Sequence, residues 1–141
     1  KICNMKKLFV ILFIVISFIS CDSYDRKLDG INYSVGWVNM PELTNVKYHY
    51  PDGLRVGILM QRITDVYWNS NYILATRCEN TTDSILGYYI VTILPEGTRP
   101  VPWKRSELLS KDEYENRKRE LGLKEEDMKH TNIFERKFLW W

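Results

Sequence analysis

A chain of 141 residues has room for one domain, and 45% hydrophobic with 13% aromatic residues is the composition of a packed globule rather than a disordered segment. The formal charge of +2 comes from the first twenty residues, which hold Lys1, Lys6 and Lys7 and no acid. Beyond them 17 basic face 18 acidic residues, a net charge of −1, so the remaining chain has no broad positive field with which to attract nucleic acid.

From Met5, two lysines precede "LFVILFIVISFIS" and then Cys21, while "KICN" ahead of Met5 reads as an upstream extension without a role. A basic segment followed by a short apolar one is the order of an export signal. A spanning helix needs about 20 apolar residues. The stretch Leu8–Ile19 is shorter and has no basic stop-transfer cluster behind it, which leaves a short anchor helix as the alternative. In "FISC" (Phe18–Cys21) bulky Ile19 stands where ordinary signal peptidase wants a small side chain, and small Ser20 directly precedes the cysteine.

This run resembles the lipobox of bacterial lipoproteins, with Ile19 in place of the commoner Ala or Ser and Phe18 in place of Leu. The resemblance implies cleavage between Ser20 and Cys21, a diacylglyceryl thioether on Cys21 and acylation of the new amine, for instance with palmitate. It places the protein at a membrane of the cell envelope, with the outer membrane expected. Each buried CH₂ contributes about 0.8 kcal/mol, and two or more acyl chains anchor durably without a spanning helix. Residues 21–30, with Asp22 and Asp25, are then expected to form a polar lipidated tether. "CDSYD" also partly matches acidic sorting signals of such lipoproteins.

A single domain is expected over 31–134. "YSVGWV" sets Tyr33, Val35 and Trp37 on one face, and "VKYHY" opposes Val46, Tyr48 and Tyr50 to Lys47 and His49, the alternation of half-buried strands. "PDG" (Pro51–Gly53) predicts a turn, followed by a strand at "RVGILMQ". "ITDVYWNSNYILATRC" reads as a hairpin about Asn69–Ser70–Asn71, because asparagine tolerates the left-handed conformation. "ILGYYIVTIL" is apolar on both faces and is expected to be the central, most buried strand.

The period changes after Trp103. "SKDE" (Ser110–Glu113) is a capping box, so a helix is expected from Lys111 to Leu121, closed by Gly122 in the left-handed conformation. Early acids and late bases match the helix dipole, and Glu113–Arg117 and Glu115–Arg119 are i,i+4 pairs. Tyr114 and Leu121, with the stem of Arg117 or Lys118, form a narrow apolar stripe that would cover one edge or face of the sheet. The tail, 135–141, ends on Trp140 and Trp141 and is expected to dock loosely or fray. The resulting fold class is α+β: a small antiparallel β-sheet with one C-terminal helix, after a cleaved signal peptide and a polar tether.

The lipobox, "ILAT", "GYYIV" and above all "LSKDEYENRKRELGL" resemble a family of small bacterial lipoproteins of unknown function, over roughly Asp65 to Lys124. That family implies no functional residue other than the lipidated Cys21. The chain contains no phosphate-binding glycine loop, no H-E-x-x-H and no paired C-x-x-C, so no cofactor or metal is expected. The sharpest enzyme arrangement is Cys78 with His49 as nucleophile and base. Strand parity instead turns Cys78 toward the core and His49 to the polar face. His130 reads as solvated.

Glu79, Asp83 and Glu96 read as turn carboxylates rather than a glycosidase pair. Trp37, Trp68 and Trp103 read as core rather than a stacking platform. "NTT" at Asn80 has no use as a glycosylation acceptor in a bacterial lipoprotein. The expected function is a non-catalytic binding or interaction module, held at a membrane by Cys21 and meeting an envelope protein partner. The alternatives are a small envelope hydrolase or an envelope inhibitor or immunity protein.

Overall fold

The structure, a computed structural model, describes residues 23–38, 43–59, 61–79, 84–95 and 106–133. Ser20, Cys21, the apolar run, Asn80, Asp83, Glu96, Trp103 and the tail therefore lie outside the described residues.

Among the described residues eight strands follow in chain order: β1 (Ser23–Lys27), β2 (Tyr33–Val38), β3 (Asn45–His49), β4 (Arg55–Gly57), β5 (Ile63–Trp68), β6 (Tyr72–Cys78), β7 (Ile85–Thr92) and β8 (Lys129–Asn132). Helix α1 (Lys111–Leu121) and a 3₁₀ turn (Glu125–Asp127) separate β7 from β8. The strands form two antiparallel four-stranded sheets, β1-β2-β3-β4 and β7-β6-β5-β8, and with the one α-helix among the described residues the fold is α+β. The expected single sheet is thus two. Their inner faces feed one core, in which Leu28, Tyr33, Val35 and Val46 from the first sheet side meet Ile63, Val66, Trp68, Ile73, Ala75 and Tyr89 of the second.

The first sheet also gains a strand where a tether was expected. Residues 23–27 form β1, paired in register from Ser23↔Val38 to Lys27↔Ser34, and Leu28 just beyond is fully buried. The sequence pattern was obscured because Arg26 occupies a position facing the second sheet. Its guanidinium Nη1 donates to Thr131 Oγ1 of β8 at 2.7 Å, so a charged residue stands where alternation expects an apolar one.

The other correction concerns "ILGYYIVTIL". Strand β7 is not central: it is the outermost named strand of its sheet, bridged beyond only by Leu109 opposite Tyr88, and Ile85 and Leu86 are exposed. It is apolar on both faces because each face has a separate cover. Tyr89 enters the core, while Tyr88, pointing the other way, stacks on Tyr114 of α1 at a centroid distance of 4.4 Å and 12°. The helix therefore lies on the outer face of the second sheet.

The local signals of α1 hold in detail. Ser110 Oγ accepts from Glu113 N, Glu113 returns to Ser110 N at 2.8 Å, and Gly122 closes the helix at φ 66°. The expected i,i+4 pairs do not form, because Glu113 is held back at the cap and Glu115 turns to Lys118 at 3.1 Å. Arg117 instead meets Glu120 at 3.3 Å. The buried face is Tyr114 with Lys118, and Leu121 is exposed.

The hairpin β5–β6 turns where expected, though by another device. Asn69 Oδ1 accepts from the backbone N–H of both Asn71 and Tyr72 at 2.8 Å, and neither asparagine takes a positive φ. Among the described non-glycine residues the left-handed conformation occurs at Arg62, φ 74°, at the opposite end of β5. Gly53 supplies the expected positive φ in the Pro51–Gly53 turn.

Candidate functional site

Two polar clusters stand on the outer faces of the two sheets. On the first, one residue from each strand converges: Asp25 of β1, Ser34 of β2, His49 of β3 and Arg55 of β4. Ser34 Oγ donates to Asp25 Oδ1 at 2.8 Å, His49 Nε2 lies 2.6 Å from Ser34 Oγ, and Arg55 Nη1 reaches Asp25 Oδ2 at 2.5 Å. Lys47 adds a longer contact to Asp25 at 3.8 Å.

The residue types are those of a hydrolytic triad, but the order is not. In a triad the imidazole stands between hydroxyl and carboxylate and takes the hydroxyl proton. Here the hydroxyl stands in the middle, already donating to the carboxylate, and Ser34 is completely buried. The cluster ties four strands together and does not present a nucleophile.

Burial, and then the positive charge of Arg55, hold the His49 pKa below the ordinary imidazole value. Asp25 pulls it upward without offsetting them, and Lys27 and Lys47 add to the lowering. A folded pKa below the unfolded one means that the unfolded chain binds the proton more readily. The stabilisation is therefore complete above the unfolded value of about 6.5 and is lost as pH falls through the folded pKa. The melting temperature should fall between about pH 7.5 and pH 5, and the fall should flatten in His49→Gln. An unchanged slope in that variant would assign the pH dependence to other groups.

The second cluster lies between Tyr67 of β5, α1 and the segment that follows the helix. Tyr67 is the floor of an open groove of about 570 Å³, walled by Glu115, Lys118, Arg119, Leu123 and Glu125. Lys118 is nearly buried: its Nζ donates to Glu125 at 3.0 Å and Glu115 at 3.1 Å and sits 4.6 Å from the centroid of the Tyr114 ring. Tyr114 Oη also donates to Glu125, at 2.9 Å. Burial alone would lower the Lys118 pKa, but the hydrogen bonds to Glu125 and Glu115 outweigh it and hold the ammonium above its ordinary value. Burial likewise opposes the Glu125 charge, and the bonds from Lys118 and Tyr114 overcome it, so this carboxyl lies below its ordinary range. Burial, followed by the bond to Glu125, pushes the Tyr114 phenol far up. The groove wall is thus a fixed set of charges at neutral pH.

Beside the groove floor, His130 stacks on Tyr67 at 4.2 Å and its Nε2 lies 2.8 Å from Asp65 Oδ1, which also accepts from Asn132 Nδ2 at 2.7 Å. His130 is exposed, as a solvated residue should be, and these partners are what the sequence reading missed. The missed signal was period-two alternation in "KHTNI", which puts His130 and Asn132 outward and the buried Thr131 and Ile133 inward.

The other sequence candidates separate. Cys78 is a buried free thiol in β6, 3.4 Å from Thr64 Oγ1, and His49 is in the other sheet with partners of its own. Trp68 is core, with Nε1 donating to Asp29 O at 3.0 Å, and Trp37 packs against the same core beside Tyr24. Glu79 is exposed and uses its backbone carbonyl to hold the Arg62 guanidinium. Among the described residues no three His, Cys, Asp or Glu side chains are grouped to hold a metal ion, and no helix is long and apolar enough to cross a membrane. No protein-family model, curated protein or solved structure matches the chain.

Proposed function

We propose that the protein is a lipid-anchored interaction module of the cell envelope, held by Cys21 and presenting the groove between Tyr67 of β5, α1 and the segment that follows the helix. The observation that carries the anchor is one of position. The first described strand begins at Ser23, two residues after Cys21, so the basic segment, the apolar run and Ser20 all lie ahead of it in the sequence. A basic and then short apolar segment directly ahead of a lipobox-like cysteine fits a cleaved signal. The groove supports binding: an aromatic floor with fixed ammonium and carboxylate groups along one wall suits a polar peptide segment or small ligand.

Intact mass of the membrane-extracted protein tests the anchor. A mass beginning at Cys21 with acyl chains added, and absent from a Cys21→Ser variant, is the expected result. A mass retaining residues 5–20 without lipid would sink the reading.

A further inference from the structure

We propose that one end of the domain rests directly on the lipid headgroups: the end formed by Tyr24, Trp37, Arg62 and Arg77. This rests on the lipid-anchor reading and adds an orientation to it. Only Asp22 separates Cys21 from the first strand residue, Ser23. Two peptide steps reach at most about 7 Å. A tether of ten residues would let the domain turn freely above the membrane, but the strand pairing of Ser23 with Val38 removes that freedom.

The register shows which residues share this end. Tyr24 pairs with Trp37 across β1 and β2, one step from Ser23. Ile63 at the start of β5 donates its N–H to Thr44 O just ahead of β3, which brings the start of β5 to the same level. Ile63 pairs with Arg77 of β6, and Arg62 O accepts from Cys78 N. At the other end Trp68 Nε1 and Lys129 Nζ both reach Asp29 O, beside the turn that follows β1. Strands β1 and β5 therefore both run away from the anchor, and the hairpin turn at Asn69–Asn71 lies at the far end.

The chemistry of the near end suits an anionic lipid surface. The Arg62 guanidinium meets the carbonyl of Glu79, and Arg77 Nε meets the carbonyl of Gln61 at 3.2 Å. Neither pairs with a carboxylate among the described residues, so both keep their charge for another partner. Basic groups near a leaflet are attracted by anionic headgroups, and amphipathic Tyr and Trp rings concentrate at the headgroup level. Tyr24, half-buried with its ring 4.6 Å from that of the core-packed Trp37, stands next to the anchor point. Arg62 is held there in the left-handed conformation, a costly geometry for a residue with a side chain.

The test uses the lipidated full-length mature protein in vesicles of phosphatidylethanolamine doped with phosphatidylglycerol, with a quencher on the lipid headgroups. A fluorophore is attached through Gln61→Cys or Asn71→Cys, both exposed sites, in a Cys78→Ser background. The expected result is loss of most emission from the label at 61 and little from the label at 71. Inserting a flexible ten-residue linker after Asp22, with a root-mean-square span of roughly 17 Å, should remove the difference. Equal quenching at the two sites without the linker, in protein whose mass confirms the lipid, would overturn the orientation alone. Protein that carries no lipid on Cys21 would overturn the orientation together with the anchor reading.

Discussion

Tyr114→Ala is expected to release the helix from the second sheet and to cost about 3–5 kcal/mol, the range for deleting a buried aromatic ring. Tyr114 is one of two buried residues on α1, the other being Lys118, whose ammonium lies beside the Tyr114 ring. Removing the ring leaves Tyr88 without its stacking partner, opens the space under Lys118 and takes a donor from Glu125. The helix is only 11 residues long, and isolated helices of that length are marginal in water even when well capped. Loss of docking should therefore become loss of helix. Denaturant titration measures the cost, and amide exchange should accelerate across Lys111–Leu121 more than in β6. Tyr114→Phe keeps the ring and loses only the bond to Glu125, so it should cost about 1.5 kcal/mol. Equal effects of the two variants would mean that the hydroxyl, not the stack, holds the helix.

Gly36→Ala should separate β1 from β2 at a cost of about 3 kcal/mol, the upper end for forcing extra volume into a packed site. A β-carbon at position 36 would stand 2.0 Å from the Tyr24 carbonyl oxygen and 2.7 Å from Asp25 Cα. Both are backbone atoms, so relief requires the strands to part rather than a side chain to swing away. The consequence reaches beyond stability, because β1 is the link between Cys21 and the domain. Once it is detached, the chain from 21 to 30 becomes a flexible tether, and the quenching difference between labels at 61 and 71 should shrink as it does with the inserted linker. Gly57→Ala is the control. There the new carbon meets the side-chain amide of Asn45 at 2.5 Å, and the cost should be nearer 1 kcal/mol, that of losing the Asn45 bond to Leu59 N. Equal costs at the two glycines would show that backbone contact is not what makes Gly36 necessary.

Whatever depends on contacts within a few residues was legible in the sequence. The Ser110–Glu113 box, the Gly122 terminus, the Pro51–Gly53 turn and the β5–β6 hairpin all stand where the local pattern puts them, since each is closed by bonds between near neighbours. The inward positions of Tyr33, Val35 and Val46 follow from two-residue alternation in the same way.

Decisions that belong to distant partners were not legible. Arg26, exposed on an edge strand, reaches across to the second sheet, where Thr131, 105 residues away, accepts a hydrogen bond from its guanidinium; without that partner the segment reads as tether. The double apolar face of β7 signified a helix on its outer side, which only the Tyr88–Tyr114 stack reveals. His130 gains its role from Asp65 and Tyr67 on a strand 65 residues earlier in the chain. The sequence by itself determined the faces of β2 and β3 and the capped helix, because those rest on local periodicity and charge. The tertiary structure alone decided that β1 is a strand, that the sheets are two, and that Tyr67 and Lys118 line one groove. Each of these rests on pairings between segments whose separation along the chain leaves no periodic trace.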